Sequence, residues 1–194
     1  MDLESENIAS AASEAQEDVR ARISALRAAS TLDQLFGIAG IRYVAPGDAA
    51  NTGLPEHTVD LLFSFALLEH VPEDVIVGLT LESRRVLRPR GICYHLIALG
   101  DHYRTGHGYV NFLKYPEWLW RILVKNKFSY HNRLREKQFV EMFKARGANV
   151  VDIRTQLDPA DLKFLSSMTV DRQFAGMTPE ELAPWRTEMV LDFQ

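Results

Sequence analysis

The segment from residue 59 to residue 99 constrains the fold most, because it reads as a strand, a helix and a second strand joined by short connections. Residues 59–65 form a mostly apolar run of strand length, as in strands that are covered on both faces. Pro72 suits the first turn of a helix that Pro89 ends, and residues 92–99 have the pattern of the next strand. Such a unit joins two parallel strands by a right-handed crossover. The sequence therefore predicts an α/β fold.

Further elements are predicted on either side of this unit. They are a helix through Val19, Ile23 and Leu26, a short strand at 41–44, helices at 116–124 and 134–146, a strand at 148–155, a helix start near Thr178 and a terminal edge strand at 188–193. The helices follow from apolar residues at helical spacing and the strands from short apolar runs. We expect an amino-terminal helical segment, residues 1–38, followed by an α/β domain, residues 39–194.

Charge and composition exclude several classes of protein. The formal net charge of -4 argues against nucleic acid or an anionic membrane as the partner of the whole chain. No run of ~18 apolar residues occurs and the acidic start has no signal-like apolar stretch, so we expect no membrane span and a cytoplasmic protein. The single cysteine, Cys93, excludes an internal disulfide and is expected to be buried in a strand.

Three short stretches follow one another in a characteristic order. They are Gly47-Asp48-Ala49 after a predicted strand, Leu67-Leu68-Glu69-His70-Val71 after the next strand, and Arg84-Arg85-Val86-Leu87-Arg88-Pro89-Arg90-Gly91. Over roughly residues 40–155, this ordered set resembles the second half of the class I S-adenosylmethionine-dependent methyltransferase family, and in particular its type 11-like domain. The resemblance implies a Rossmann-like sheet with helices on both faces and S-adenosylmethionine as cofactor.

The resemblance also implies a cofactor side. The matching residues are Asp48, Ala49, Ser64, Phe65, Ala66 and His70. In the family, the Asp carboxylate accepts a hydrogen bond from the adenine amine, the next backbone N–H serves a ring nitrogen, and the strand mouth lines the cofactor at the carboxyl ends of the strands. From the residues alone, Asp48 is equally well explained as a turn residue, Ser64 as a strand end and His70 as a local cap.

Two departures from the family pattern affect the expected sheet. The strand, Gly-x-Gly loop and second strand that open the family domain have no counterpart before Asp48, and Arg90 replaces the first glycine of the family's Pro-Gly-Gly turn. We therefore expect a sheet truncated at the amino terminus, without the first two strands and the glycine-rich loop. Such a sheet leaves an open edge, which a protein partner or a second copy could complete.

The region from residue 101 to residue 137 is the candidate substrate side. It carries eight Lys or Arg against three acids, with aromatic residues between them. This pattern suits an anionic or aromatic small molecule, or stacked single-stranded nucleic acid, but solvated helix faces over aromatic core residues produce it more often. Substrate-binding residues gather after the fifth strand of the family, so the resemblance implies that Tyr130, His131 and Arg133 contact the methyl acceptor.

Metal and acid–base chemistry gain little support from the sequence. His102, His107 and His131 lack a carboxylate or cysteine at a familiar ligand spacing, so no metal site is predicted. No catalytic base can be assigned either. The sequence predicts methyl transfer from S-adenosylmethionine to an unidentified acceptor, and the alternative is a non-catalytic, methyltransferase-like module that binds a partner.

Overall fold

The structure is a computed structural model that describes residues 3–102, 108–123 and 130–194. It divides into two compact units, residues 1–47 and residues 48–194. None of the described helices combines the length and the apolar character needed to cross a bilayer.

The first unit contains two helices, α1 (Leu3–Ala28) and α2 (Leu32–Ala39). The side chain of Thr31 accepts a hydrogen bond from the backbone of Gln34 and so caps the start of α2. Gly40 ends the helix in the left-handed conformation, with φ of 67°. Arg22 donates from Nη2 to the carbonyl of Ala39 over 2.7 Å, which ties the two helices together.

The short strand predicted at residues 41–44 is wrong, because this stretch has no regular structure. Ile41, Tyr43 and Val44 are all more than half exposed. No strand in the described part of the chain pairs with them. An apolar run forms a strand only where a neighbour can satisfy its backbone groups, and this requirement cannot be read from local sequence.

The second unit is built on a four-stranded sheet. Its strands are β1 (Val59–Phe65), β2 (Leu87–Ala98), β3 (Asn149–Leu157) and β4 (Pro184–Asp192). The order is β1-β2-β4-β3, with β1 and β2 parallel and β4 antiparallel to both of its neighbours. Helix α3 (Glu73–Val86) connects β1 to β2, so the predicted crossover and the α/β fold class are confirmed.

The terminal strand was predicted to lie at an edge, and this prediction is wrong. β4 lies between β2 and β3. Thr187, Met189 and Leu191 on one of its faces are almost fully buried, which is the pattern of an interior strand. In its place β3 forms the edge, and most of its residues are exposed.

Four further helices and three short 3₁₀ turns complete the second unit. They are α4 (Glu117–Leu123), α5 (Glu136–Lys144), α6 (Pro159–Leu165) and α7 (Pro179–Leu182), with turns at Leu68–His70, Asn111–Lys114 and Arg172–Phe174. Phe139 and Phe143 of α5 pack into one core with residues of α3 and the sheet. Phe112, Trp120 and Phe174 belong to a second core, which the segments after β2 build.

Cys93 lies in β2 and is fully buried, as the sequence predicts. Burial raises the pKa of its thiol to about 11, so it behaves as a small apolar residue.

Candidate functional site

The candidate site lies at the carboxyl ends of the two parallel strands. The backbone N–H of Ala66 donates to the carbonyl of Leu96 over 2.9 Å, and Ala66 then turns the chain out of the sheet with a φ of 48°. The turn at Leu68–His70 follows at once. Gly100 to His102 leave β2 at the same edge, because parallel strands end on the same side of a sheet. The segments that follow β1 and β2 therefore meet there.

Ser64 and His95 form a buried pair below this edge. Ser64 Oγ lies 2.8 Å from His95 Nδ1, and the His95 ring stacks on Phe143 with centroids 5.6 Å apart. Ser64 is 7% exposed, whereas the next residue, Phe65, is 70% exposed. At the carboxyl end of β1 the aromatic side chain of Phe65 is therefore exposed, while the Ser64 hydroxyl is buried in the core.

The burial of His95 makes stability depend on pH. Burial lowers the pKa of His95 to about 4, from an ordinary value of 6.5. Between pH 6.5 and pH 4 the unfolded chain binds a proton at this residue and the folded chain does not. The free energy of unfolding is therefore highest above pH 6.5 and falls as the pH falls towards 4. We expect wild type to lose about 2 kcal/mol more than His95→Gln between pH 7.5 and pH 5, as measured by urea unfolding. Equal losses in the two proteins would contradict this.

Four hydrogen bonds hold the turn at Leu68–His70 against the segment 130–133. His70 Nδ1 lies 2.7 Å from the carbonyl of Tyr130, and the Asn132 backbone N–H donates to the carbonyl of Glu69 over 2.9 Å. Asn132 Nδ2 also donates to the carbonyls of Leu68 and Val71, over 2.7 and 2.9 Å. The predicted cofactor side at His70 and the predicted substrate side at Tyr130 are thus joined.

Three histidine rings and one carboxylate gather at this junction. The ring of His102 lies 4.9 Å from the rings of His70 and His131, between centroids. Burial raises the pKa of Glu69, and the nearby backbone and His70 offset this only in part. Loss of solvation and then the adjacent His70 lower the pKa of His102. Both effects favour the neutral form of the His102 imidazole.

His131 is the most enclosed member of the cluster. Trp120 donates from Nε1 to the His131 carbonyl over 2.8 Å, and Phe112 meets the ring edge-on at 5.4 Å. Burial, with smaller effects of His102, Arg135 and His70, lowers the pKa of His131 to about 3. Its Nδ1 accepts from the Arg133 backbone over 3.2 Å, so the neutral ring carries its proton on Nε2.

Arg133 is surrounded by protein partners. Its guanidinium donates to the carbonyl of Tyr115 over 2.7 Å and to Glu117 Oε2 over 2.6 Å, and it lies over the rings of Trp120 and Phe174. Only 1% of its side chain is exposed. These contacts stabilise the second core. Of the predicted substrate-side residues, Tyr130 and His131 are the ones whose positions at the histidine cluster suit contact with a ligand.

A cavity of about 490 Å³ opens beside this junction. Tyr130, His131 and Arg133 line it, so the structure brings the three predicted substrate-side residues together. Glu73 and Glu117 add two acidic groups to its wall. Its size is in the range of small-molecule sites.

Asp48 and Ala49 lie in a loop that is fixed to α3. Asp48 Oδ1 accepts from the backbone of Ala50 over 2.8 Å, which is the turn role that its local sequence also allowed. Thr52 donates from its backbone and its hydroxyl to Glu82 over 2.9 and 2.5 Å. Hydrogen bonds from Arg85 and then Thr52 lower the pKa of Glu82 to about 2.

The sequence does not indicate the participation of Glu69 and His102, whereas Asn132 lies within the predicted substrate-side stretch. Glu69 contributes there only to a family-like motif, and His102 has no carboxylate or cysteine at a familiar ligand spacing. Part of the predicted substrate side, including His107, Arg104, Lys125 and Lys127, lies outside the described residues.

Comparisons with known proteins show similarity to methyltransferases. Residues 1–95 match the model of a family described as a methyltransferase domain. A protein assigned as a sarcosine dimethylglycine methyltransferase from Galdieria sulphuraria is 15% identical, with 80% of this chain and 60% of that chain covered and a TM-score of 0.50. No curated protein matches in sequence.

Two further solved structures have lower similarity in fold. A methyltransferase of Bacillus halodurans C-125 is 13% identical, with 79% of this chain and 76% of that chain covered and a TM-score of 0.46. The second is the geranyl diphosphate C-methyltransferase of Streptomyces coelicolor A3(2), solved with Mg²⁺, geranyl diphosphate and S-adenosyl-L-homocysteine. It is 12% identical, with 75% of this chain and 51% of that chain covered and a TM-score of 0.43. The chain thus spans about 60% of the length of the Galdieria protein.

Proposed function

We propose that this chain, whose fold is that of the class I S-adenosylmethionine-dependent methyltransferases, binds S-adenosylmethionine at the carboxyl edge of β1 and β2 and methylates a small molecule. The observation that carries the proposal is the junction of the turn at Leu68–His70 with the segment 130–133. There His70, which matches a cofactor-side residue of the family, is hydrogen-bonded to the segment that lines a cavity of about 490 Å³. We also propose the cytoplasm as its compartment, since the lone cysteine is a free, buried thiol.

Asp48 and Phe65 are the residues that we propose for the adenine end of this cofactor. Asp48 uses Oδ1 in its turn, and no described residue bonds to Oδ2, so the carboxylate keeps an acceptor for an adenine amine. Phe65 offers an exposed ring at the strand mouth for contact with the base or ribose. The methionine end has no counterpart of the family's Gly-x-Gly loop before Asp48. The fit therefore concerns the adenine side.

The chain contributes positioning to the proposed reaction. S-adenosylmethionine, when bound, supplies an electrophilic methyl group that an acceptor can attack in line. Tyr130 and His131 line the cavity in which we place that acceptor, and Asn132 fixes their segment to the turn that follows β1. Holding the acceptor in one orientation replaces the entropy cost of a bimolecular encounter.

A matched pair of Asp48 variants tests the cofactor site. Asp48→Asn keeps a side-chain oxygen for the turn but loses the charged acceptor, so we expect binding of S-adenosylhomocysteine to weaken about tenfold while the melting temperature stays unchanged. Asp48→Ala should lose affinity to at least the same extent and also loosen the turn. Isothermal calorimetry measures both affinities. Wild-type affinity in Asp48→Asn would contradict the proposed contact.

One observation favours the alternative function, a partner-binding module. Leu61, Phe63 and Phe65 are 52%, 70% and 70% exposed along β1, the edge strand of the sheet. An edge strand whose exposed side chains are apolar is prone to pair with another strand. If a second copy completes the sheet, light scattering should show a dimer for wild type and a monomer for Phe63→Lys. A monomeric wild type would contradict pairing between copies.

A further inference from the structure

We propose that Glu69, His70 and His102 bind one divalent transition-metal ion at the carboxyl edge of the sheet. The site does not depend on cofactor binding, because its three ligands come from the chain itself. It was not expected from the sequence, in which the carboxylate and His102 are separated by a helix and a strand.

The three side chains are close enough to share an ion. One ligand atom from each, a carboxylate oxygen and two imidazole nitrogens, all lie within 4.8 Å of one another. Ligands around a tetrahedral Zn²⁺ lie roughly 3.4 Å apart at bond lengths of about 2.1 Å. Binding of an ion would draw these side chains together by this difference. Glu69 and His70 follow β1 and His102 follows β2, so all three lie at the same edge of the sheet.

The Glu69 carboxylate supplies the observation that points most directly to a ligand. The side chain is 1% exposed, and no side chain among the described residues donates a hydrogen bond to its oxygens, although the backbone groups of Glu69 itself and Ala98 lie close to them. The side-chain nitrogen that approaches it is His70 Nε2, 3.9 Å away, which is too far for a hydrogen bond. Buried carboxylates are normally paired or coordinate a metal. A cation between Glu69 and the two imidazoles would satisfy it.

His70 is already oriented as a metal ligand. The Tyr130 carbonyl can only accept a hydrogen bond, so His70 Nδ1, 2.7 Å from it, carries the proton. The lone pair of the neutral ring is therefore on Nε2, the atom that faces Glu69. A backbone carbonyl that fixes the far nitrogen is the usual arrangement around metal-bound histidines. Asn132 holds the same segments together through the carbonyls of Leu68 and Val71.

His131 has a different part in this site. Because its Nδ1 accepts from the Arg133 backbone, its Nε2 carries a proton and cannot ligate the ion in that form. That Nε2 is buried, with the backbone of Ala98 near it but no side-chain partner among the described residues, and the ring lies 4.9 Å from the ring of His102. It is suited to donate a hydrogen bond to a water molecule or an acceptor oxygen on the ion.

The ligand set indicates which ion binds. Two imidazoles and one carboxylate suit Zn²⁺, Co²⁺ or Fe²⁺, whereas Mg²⁺ and Ca²⁺ prefer oxygen ligands alone. Three protein ligands also leave a position for water or substrate, as in catalytic rather than structural sites.

Titration of the metal-free chain with Co²⁺ tests the site, with the visible d–d absorption of the bound ion as readout. We expect one Co²⁺ per chain, displaced by Zn²⁺. We expect Glu69→Gln and His102→Ala to weaken binding at least tenfold, and the control His57→Ala, a histidine outside the cluster, to leave it unchanged. Glu69→Gln should also raise the melting temperature of the metal-free chain, because it removes an unpaired buried charge. That result separates loss of a ligand from loss of the fold.

Two outcomes would overturn the proposal. One is the absence of Co²⁺ binding at millimolar concentration, and the other is equal binding by wild type, Glu69→Gln and His102→Ala. Calorimetry of the same metal-free protein with S-adenosylhomocysteine reports on the cofactor site alone. Failure of the metal site and failure of the proposed function can therefore be told apart.

Discussion

Replacing Arg135 with methionine is expected to lower the free energy of unfolding by about 3–5 kcal/mol. The Arg135 side chain is fully buried and donates to the carbonyls of Leu99 over 2.6 Å and Leu182 over 2.9 Å, and also to that of Pro184. These carbonyls belong to the segment after β2, the end of α7 and the start of β4. Burial lowers the pKa of Arg135 to about 10, so it remains a cation at neutral pH. Methionine fills a similar volume but leaves three carbonyls without a donor.

Urea unfolding followed by tryptophan fluorescence measures this loss. Arg121→Met is the matched control, because Arg121 is 77% exposed and pairs only at the surface with Glu117. We expect that control to change stability by less than about 1 kcal/mol. If Arg135→Met and Arg121→Met have the same free energy of unfolding, the buried guanidinium does not join the three segments.

Asn132→Ala is expected to have the second largest effect, a loss of about 2–3 kcal/mol together with weaker ligand binding. Asn132 Nδ2 serves two carbonyls, and Oδ1 accepts from the backbone of Leu134 over 3.1 Å. The substitution leaves these groups unpaired and frees the segment 130–133 from the turn at Leu68–His70. Affinity for S-adenosylhomocysteine should fall with stability, because the two sides of the site lose their fixed spacing.

A second asparagine provides the control for this prediction. Asn149 also donates twice, to Asp192 Oδ1 and the carbonyl of Gln194, but it lies in an exposed position. Asn149→Ala should therefore cost less than about 1 kcal/mol, as chemical unfolding can measure. Similar losses in both variants would show that Asn132 has no special role at the junction.

The parts of the fold that sequence predicted well are those that local signals determine. Helix α3 and its two flanking strands follow from apolar periodicity, acidic residues at the helix start and a proline beyond its end. The failure at residues 41–44 and the interior position of β4 have the opposite origin. Both depend on which distant segment pairs with a strand, and the strand's own residues do not encode this choice directly.

The candidate site shows the same division. The ordered motifs indicated the carboxyl edge of the sheet, including His70 and the segment around His131. The buried carboxylate of Glu69 and its closeness to His102 become visible only when the two strands lie side by side. Arg133 and Arg135 are both buried, although charged residues are rarely enclosed, because distant backbone carbonyls surround them. No local pattern indicates such partners.

Calorimetric titration of the purified chain with S-adenosylhomocysteine tests the central claim most directly. We expect saturable binding of one molecule per chain with a dissociation constant below about 1 mM, which corresponds to roughly 4 kcal/mol of binding free energy. Absence of binding at millimolar ligand, in protein that unfolds cooperatively and is therefore folded, would contradict a cofactor site in this chain.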